Sequence, residues 1–125
     1  MSGLTLDAGA LIAFDNNDRA VVAIVARALA RGTMLAVPAG VIGQVWRDGR
    51  KQARLARLLA SRIIEIEALD DRRARAAGQL CGVTRTRDVI DASVVLCAKT
   101  RGHGVLTSDA GDIRRLDPTL RVVEV

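Results

Sequence analysis

The amino-acid sequence predicts an α/β fold, a three-layer α/β/α sandwich around a central parallel sheet of about five strands. Short apolar segments with the character of strands alternate with segments of helical period along the chain, and this alternation favours a parallel sheet covered on both faces. Half of the 125 residues are hydrophobic, which suffices for a sizeable core. No internal repeat, linker or low-complexity segment divides the chain. We therefore expect one domain spanning residues 1–125.

The first strand, Leu4–Leu6, leads into a short apolar helix, Ala8–Phe14. A polar turn stops this helix, and Asp18 is suited to cap a second helix that runs through Ala30. The apolar residues of the second helix recur with the helical period, and Gly32 follows it in the position where glycine commonly ends a helix.

The second strand, Leu35–Val37, is followed by a helix that opens at Pro38, where the missing N–H costs little. That helix carries Gln44 and Asp48, four residues apart and therefore on one helix face. The next segment, Arg50–Ser61, has a leucine stripe opposite a row of arginines, which predicts an amphipathic helix. Such a basic row is more often a solvated face than a binding site.

The second half of the chain continues the same alternation of strands and helices. Its predicted elements are a strand at Ile63–Ile66, a helix from Asp70 to about Leu80, a polar loop at 82–87, a helix at Asp88–Ala98, a strand at Val105–Thr107, a helix at Ser108–Leu116 and a strand at Arg121–Val125.

The segment Asp88–Ala98 is the one around which the other elements are arranged. It is apolar nearly all round, which predicts a buried helix, and it carries Asp91 to the edge of the core. An ionised carboxylate is rarely buried without a partner, because its desolvation is costly. A local explanation also exists, in which Asp88 is the N-cap and Asp91 is an acidic residue in the first turn.

The formal charge of +5 and a sequence pI of about 10.5 favour an anionic partner, either nucleic acid or an acidic protein. Nearly all of the positive charge is arginine, whose planar fork suits phosphate and carboxylate groups. Aromatic residues make up only 2%, so the base-stacking platforms of single-strand-binding proteins are not expected.

The chain shows no signal for export or for membrane insertion. No apolar run reaches the roughly 20 residues that a spanning helix needs, and the N-terminus lacks a basic region followed by an apolar one. Cys81 and Cys97 lie in apolar helical segments without metal-ligand spacing, as buried free thiols do. We expect a cytoplasmic protein.

Carboxylates follow the strands that the fold is expected to place at its centre. Asp7 ends the first strand and Asp109 follows the fourth, so they emerge side by side if these strands are neighbours. Asp91 reaches the same point from its helix. Carboxylates brought together repel one another unless a cation lies among them, and oxygen ligands suit Mg²⁺ or Mn²⁺. The alternative is that Asp88, Asp91 and Asp109, with Asp112 one turn later, act only as helix caps and first-turn acids.

Other chemistries fit poorly. His103 is the only histidine and lies between two glycines, as a turn residue does. One histidine cannot supply both the acid and the base for a metal-free attack by an RNA 2′-hydroxyl. No Walker A loop, dinucleotide-binding glycine fingerprint or Gly-x-Ser-x-Gly elbow is present. Phosphoryl transfer with a metal-activated water fits best.

The acids occur in a recognisable order: Asp7, the helix with Gln44, then Asp91-Ala92 and finally Thr107-Ser108-Asp109. This order resembles the PIN-domain nucleases, and among them the VapC-type toxins of toxin–antitoxin pairs. The resemblance extends from LDAGALIA near the start to VLTSDAGDI near the end.

By position, the resemblance implies that Asp7, Asp91 and Asp109 are catalytic and bind the metal with Asp112 assisting, and that Asp88 is a neighbour. It further implies Mg²⁺- or Mn²⁺-dependent endoribonuclease activity, a homodimer, and inhibition by a small VapB-like antitoxin. Hydrolysis by an activated water predicts products with a 5′-phosphate and a 3′-hydroxyl.

The chain departs from the family pattern at two positions. Gln44 stands where the family usually has a glutamate, and its amide oxygen brings no charge. Asp48, predicted to lie one turn further on the same face, is a hypothetical compensating acid. Gly9 stands where a serine or threonine often holds the first aspartate, which leaves the positioning of Asp7 open.

Four arginines are predicted to contact the RNA backbone or an acidic antitoxin segment: Arg47, Arg50, Arg54 and Arg85. Two other classes of function remain open from the sequence. One is a catalytically weak protein that binds RNA or an antitoxin, which the uncharged Gln44 leaves open. The other is a phosphatase with Asp7 as nucleophile, although the second aspartate usual in such enzymes is replaced by Gly9.

Overall fold

The computed structural model describes residues 3–125, and in this range seven helices and five strands follow one another. The strands are β1 (Leu4–Leu6), β2 (Leu35–Pro38), β3 (Ile64–Glu67), β4 (Gly104–Thr107) and β5 (Val122–Glu124). The helices are α1 (Ala8–Asp15), α2 (Arg19–Arg31), α3 (Ala39–Val45), α4 (Ala53–Leu59), α5 (Asp71–Thr84), α6 (Val89–Arg101) and α7 (Ala110–Leu116).

The five strands form one parallel sheet in the order β3-β2-β1-β4-β5. The first and fourth strands are neighbours, with Leu6 opposite Leu106, so the condition for bringing Asp7 and Asp109 to one edge is met. Strands β1, β2 and β4 are buried along their length, whereas β3 and β5 form the partly exposed edges. Because the strand order changes direction at β1, the carboxyl ends of β1 and β4 are the place where a site is expected in such a sheet.

The helices form two groups that cover the sheet. Helix α1 contacts α2, α3 and α4, while α5, α6 and α7 contact one another, and α6 lies on β1 and β2. The predicted three-layer α/β/α fold is therefore confirmed. As its sequence pattern predicts, α6 is the buried helix, and its inaccessible residues are Ala92, Ser93, Val94, Val95, Cys97 and Ala98.

The segment between α3 and α4 differs from the prediction. Helix α3 ends at Val45 and α4 begins only at Ala53. The side chain of Gln52 closes the intervening loop, since its amide donates to the Val45 carbonyl (2.8 Å) and its carbonyl accepts the backbone N–H of Arg47 (2.8 Å) and Asp48 (3.0 Å). Asp48 is therefore outside α3, and the prediction that Gln44 and Asp48 share a helix face is wrong.

Helix α5 is longer than predicted and includes residues 82–84, which the sequence analysis placed in a loop. Glycine and threonine are weak helix formers, but Thr84 donates its hydroxyl to the Leu80 carbonyl (2.8 Å) and the helix continues. Arg85 then ends α5 in the left-handed conformation, with φ of 58°.

Two smaller expectations concern cysteines and membranes. Cys81 and Cys97 are both buried free thiols, as predicted. Among the described residues, no helix has the length and apolar character needed to cross a membrane.

Candidate active site

Asp7 lies directly after β1, in the centre of the sheet. Its backbone N–H extends the sheet by donating to the Leu106 carbonyl (3.2 Å), and its carboxylate caps α1 by accepting the Ala10 N–H (2.9 Å). Only 7% of the residue is exposed. Burial raises the pKa of Asp7, and hydrogen bonds from Thr107 and from the start of α1 partly offset this.

Thr107, the last residue of β4, joins the two central aspartates. Its buried hydroxyl donates to the other carboxylate oxygen of Asp7 and accepts the backbone N–H of Asp109 (2.8 Å). One hydroxyl therefore satisfies a buried carboxylate and fixes the turn that carries the next acid.

Asp109 and Asp112 lie at the start of α7. The Asp109 carboxylate is the N-cap and accepts the Asp112 N–H (3.2 Å). A hydrogen bond with the Asp109 side chain and the negative charge of Asp109 raise the pKa of Asp112. Both residues are exposed. The helix-capping interpretation of this pair is correct. The cap uses only one carboxylate oxygen of Asp109, Oδ1, and the other oxygen takes no part in it.

Asp91 lies in the first turn of α6, which Asp88 caps by accepting the N–H groups of Ile90 (3.0 Å) and Asp91 (2.9 Å). Partial burial is the main reason that the pKa of Asp91 rises to about 7. The charges of Asp88, Asp112 and Asp7 raise it further. Asp91 is thus half-buried within reach of three other carboxylates.

A cavity of about 330 Å³, here called the acidic depression, opens where α6 and α7 begin. Three of the predicted acids line it, namely Asp88, Asp91 and Asp112. The remaining lining comes from the loop before α6 and from the end of α7: Arg85, Thr86, Arg87, Arg115 and Leu116. Asp7 does not line this cavity; it is buried, and its negative charge contributes to the raised pKa of Asp91.

The other predicted site residues do not line the acidic depression, with the exception of Arg85. Gln44 is exposed near the end of α3, and Asp48 accepts the backbone N–H of Arg50 (2.9 Å) within its own loop. Arg47 donates to the Gly43 (3.3 Å) and Trp46 (2.7 Å) carbonyls.

Arg54 lies elsewhere, in a groove that it shares with Arg57 and with apolar side chains of α1, α2 and α4. The structure therefore separates Arg54 from Arg85, although the sequence analysis grouped them.

The donor chemistry of the acidic site fits a hard divalent cation. Its side chains offer carboxylate oxygens, which Mg²⁺ and Mn²⁺ prefer. Burial is the main cause of the raised pKa of Asp91, and repulsion from Asp88, Asp112 and Asp7 adds to it; a cation would relieve that repulsion. Within residues 3–125, however, no three His, Cys, Asp or Glu side chains are arranged closely enough to form a complete ligand set. The residues present offer suitable donor atoms for the ion, but they do not form a complete ligand set.

Thr107 and Ser108 shape this site although the sequence motif gave them no role of their own, and Gly9, noted from the sequence only as a departure from the family pattern, lies against Ser108. A Cβ atom placed on Gly9 would lie 1.8 Å from Oγ of Ser108, so the Ser108 side chain fills the space in which a side chain at position 9 would lie. The available signal was the position of Thr107 and Ser108 between a buried strand and a helix-capping aspartate.

Comparisons with known proteins agree with this geometry. The family model for the PIN domain matches residues 4–117. The fold is similar to that of VapBC2 from Rickettsia felis, solved with a promoter DNA fragment (TM-score 0.69, 14% identity, covering 98% of each chain). It is also similar to VapC20 from Mycobacterium tuberculosis, a sarcin–ricin loop cleaving toxin (0.67, 18%, 98% of each chain).

A third similar structure is FitAcB from Neisseria gonorrhoeae, with a TM-score of 0.67 and 17% identity over 97% of this chain and 96% of the other. No curated protein matches the sequence significantly. Identities this low establish a shared fold, whereas the family match covers most of the chain. The chain belongs to the PIN domain family.

Proposed function

We propose that the protein is a Mg²⁺- or Mn²⁺-dependent endoribonuclease that acts as the toxin of a toxin–antitoxin pair. One observation carries this proposal: Asp91 is half-buried near Asp88, Asp112 and Asp7, and burial together with the negative charges of these carboxylates raises its pKa to about 7. Membership of the PIN domain family supports it, because the sequence resemblance to that family implies that Asp7, Asp91 and Asp109 are its metal-binding acids.

In the proposed site, Asp7, Asp91 and Asp109 hold the ion and Asp112 assists, with Asp88 as a neighbour. When bound, a divalent cation supplies positive charge for the scissile phosphate and lowers the pKa of water. Thr107 holds Asp7 in place through its hydroxyl. The hydrogen bond that Asp109 accepts from the Asp112 N–H fixes the orientation of the Asp109 carboxylate at the start of α7. Asp48, whose carboxylate is engaged by its own loop, is left out of this set.

We propose an acidic antitoxin as the protein partner and a homodimer as the assembly. The similar structures that contain VapBC2 and FitAB complexes support the antitoxin, and the net charge of +5 supports a partner with negative charge. Arg47, Arg50 and Arg54 remain candidates for its binding, and the cytoplasm is the proposed location.

The test is cleavage of total cellular RNA by purified protein with Mg²⁺, with Mn²⁺ and with EDTA. Asp7→Asn is compared with Asp71→Asn, which removes the same charge from an exposed pair with Arg75 on α5. We expect cleavage that needs the ion, disappears in Asp7→Asn and persists in Asp71→Asn. Equal activity of both variants, or activity in EDTA, would contradict the proposal.

A second candidate is a protein that binds RNA or an antitoxin and cleaves weakly. The exposed, uncharged Gln44 and the unclosed ligand set favour it. Calorimetric titration with Mn²⁺ separates the two, because the nuclease needs binding that Asp91→Asn weakens, whereas the binding protein does not.

A further inference from the structure

Three arginines line the acidic depression together with its three carboxylates. Arg85, Arg87 and Arg115 come from the end of α5, the loop before α6 and the last turn of α7. Within residues 3–125 the salt bridges all involve other cations, so these guanidinium groups have no carboxylate partner at ion-pair distance. Their charges are available to a ligand.

The fold brings Arg87 and Arg115 to the acidic depression from two different elements, the start of α6 and helix α7. Arg87 directly precedes Asp88, the N-cap of α6, whereas Arg115 follows Asp112 by three residues and so lies on the same side of α7. A chain that crosses the depression meets a guanidinium from the α6 side and another from the α7 side, in the same cavity that Asp91 lines.

We propose that Arg87 and Arg115 bind backbone phosphates of the RNA on either side of the scissile bond. This inference rests on the proposed function and specifies where the substrate lies: it crosses the starts of α6 and α7. Repeating phosphates match guanidinium groups that come from two different elements, and the guanidinium fork suits a phosphate. The arginines also offset the repulsion between the phosphates and the carboxylates of the depression.

The same inference separates RNA binding from the other basic surface. Arg54 and Arg57 lie in the groove of α1, α2 and α4 with Phe14 and Leu58, away from the acidic depression. We therefore assign the substrate path to Arg87 and Arg115 and not to the arginine row of α4.

The test is the binding of a short single-stranded RNA, measured by fluorescence anisotropy in EDTA over a series of salt concentrations. Arg115→Gln is compared with Arg114→Gln, because both arginines are exposed in the last turn of α7 but only Arg115 lines the depression. We expect Arg115→Gln and Arg87→Gln to weaken binding roughly five- to tenfold, and to reduce the salt slope by about 0.7 each. Arg114→Gln should stay within about twofold of wild type.

Equal losses in Arg114→Gln and Arg115→Gln would overturn the inference, since net charge alone would then explain binding. A Glu-rich synthetic peptide is tested in parallel. If Arg87→Gln and Arg115→Gln lose the peptide but keep the RNA, the depression serves an acidic partner and the inference is wrong.

The binding measurement does not depend on cleavage. Selective loss of RNA by Arg115→Gln in a protein that never cleaves would refute the nuclease and leave the inference standing. RNA cleavage that is unaffected by either substitution, with unchanged KM, would refute the inference and leave the nuclease standing.

Discussion

The hydroxyl of Thr107 donates to the buried carboxylate of Asp7 and joins the carboxyl ends of β4 and β1. The same hydroxyl accepts the backbone N–H of Asp109. Asp7 is thus held from three directions: by Thr107, by the start of α1 and by the sheet itself. The position of the central acid depends on a residue that carries no charge.

Replacement of Thr107 by valine should impair the site without changing the shape of the strand. Valine fills the same volume but leaves a carboxylate oxygen of Asp7 without its donor, which costs about 1.5–3 kcal/mol for a bond to a charged group. We expect a further rise in the pKa of Asp7. If this cost is borne by the metal complex, Mn²⁺ affinity falls by roughly tenfold or more, since each 1.4 kcal/mol is about tenfold, and calorimetry measures it. Thr107→Ser, which keeps the hydroxyl, should stay close to wild type. Equal affinity in the valine and serine variants would show that the bond does not position Asp7.

The raised pKa of Asp91 predicts a pH dependence of stability in the metal-free protein. The folded chain keeps the Asp91 proton up to about pH 7, whereas the unfolded chain loses it near the ordinary aspartate pKa of 3.8. The free energy of unfolding therefore decreases as the pH rises from about 4 to about 7, because only the unfolded chain releases the proton easily in this range. Above about pH 7 the whole loss is present. We expect the free energy of unfolding to increase as the pH falls from about 7 toward about 4.

Asp91→Asn is the control for this pH dependence, because asparagine does not titrate. His103 acts in the opposite sense, since burial lowers its pKa and protonation of the unfolded chain costs stability as the pH falls. Both proteins share His103, so the difference between their urea unfolding curves isolates Asp91. A difference that does not change with pH would contradict the prediction.

The close approach of Gly9 and Ser108 predicts that there is room for a side chain at only one of these two positions. Gly9→Ala should destabilise the fold by about 1–3 kcal/mol, since the new Cβ would collide with Oγ of Ser108. Addition of Ser108→Gly should recover most of this loss. Gly43→Ala is the matched control, because nothing lies within 4 Å of that site in α3. We expect it to be neutral or stabilising by about 0.5–1 kcal/mol.

Additive effects of Gly9→Ala and Ser108→Gly in urea unfolding would refute this coupling. The same variants also affect the proposed metal site, because Gly9 lies two residues after Asp7 and Ser108 directly precedes Asp109. Mn²⁺ affinity should fall in Gly9→Ala and return in the double variant.

An ion-pair network ties α6 to the edge strand β3. Arg101 binds Glu65 (2.5 Å) and Glu67, and Arg73 also binds Glu67 (2.7 Å). The Arg101 and Glu67 side chains are 19% and 12% exposed, whereas Glu65 is 54% exposed. Arg101→Met should cost more than about 1 kcal/mol of stability, because it leaves buried charge on Glu67 short of a partner. Glu65→Gln should cost less than that. Urea unfolding of both variants measures this, and a larger cost for Glu65→Gln would contradict it.

The order and type of the elements follow from local pattern, and this is why the fold was predictable. The apolar run of α6, the cap at Asp88 and the glycine ends of α2 and α6 are all readable within a few residues. The predictions of helix ends were wrong where contacts between residues far apart in the pattern determine the end. Gln52 ends α3 early by bonding back to Val45, and no periodicity reports such a contact.

The same division applies to the candidate site. Asp7, Asp91 and Asp109 were predicted as site residues from their places after strands and at a helix start, and their role stays a prediction. The burial of Asp7 and the partial burial of Asp91, which raises the pKa of Asp91, needed the neighbours that only the folded chain supplies. The grouping of Arg47, Arg50, Arg54 and Arg85 rested on charge alone, and charge carries no direction.

By itself, the sequence determined the parallel α/β architecture and the set of acids at the ends of its central strands, because hydrophobic period and helix capping act over short distances. Tertiary structure alone decided that Thr107 holds Asp7, that Ser108 fills the place of a side chain at Gly9, and that Arg87 and Arg115, not Arg54, share a cavity with Asp91. The physical reason is that hydrogen bonds, volume exclusion and charge interactions depend on distances in space, which strand pairing sets between residues far apart in the chain.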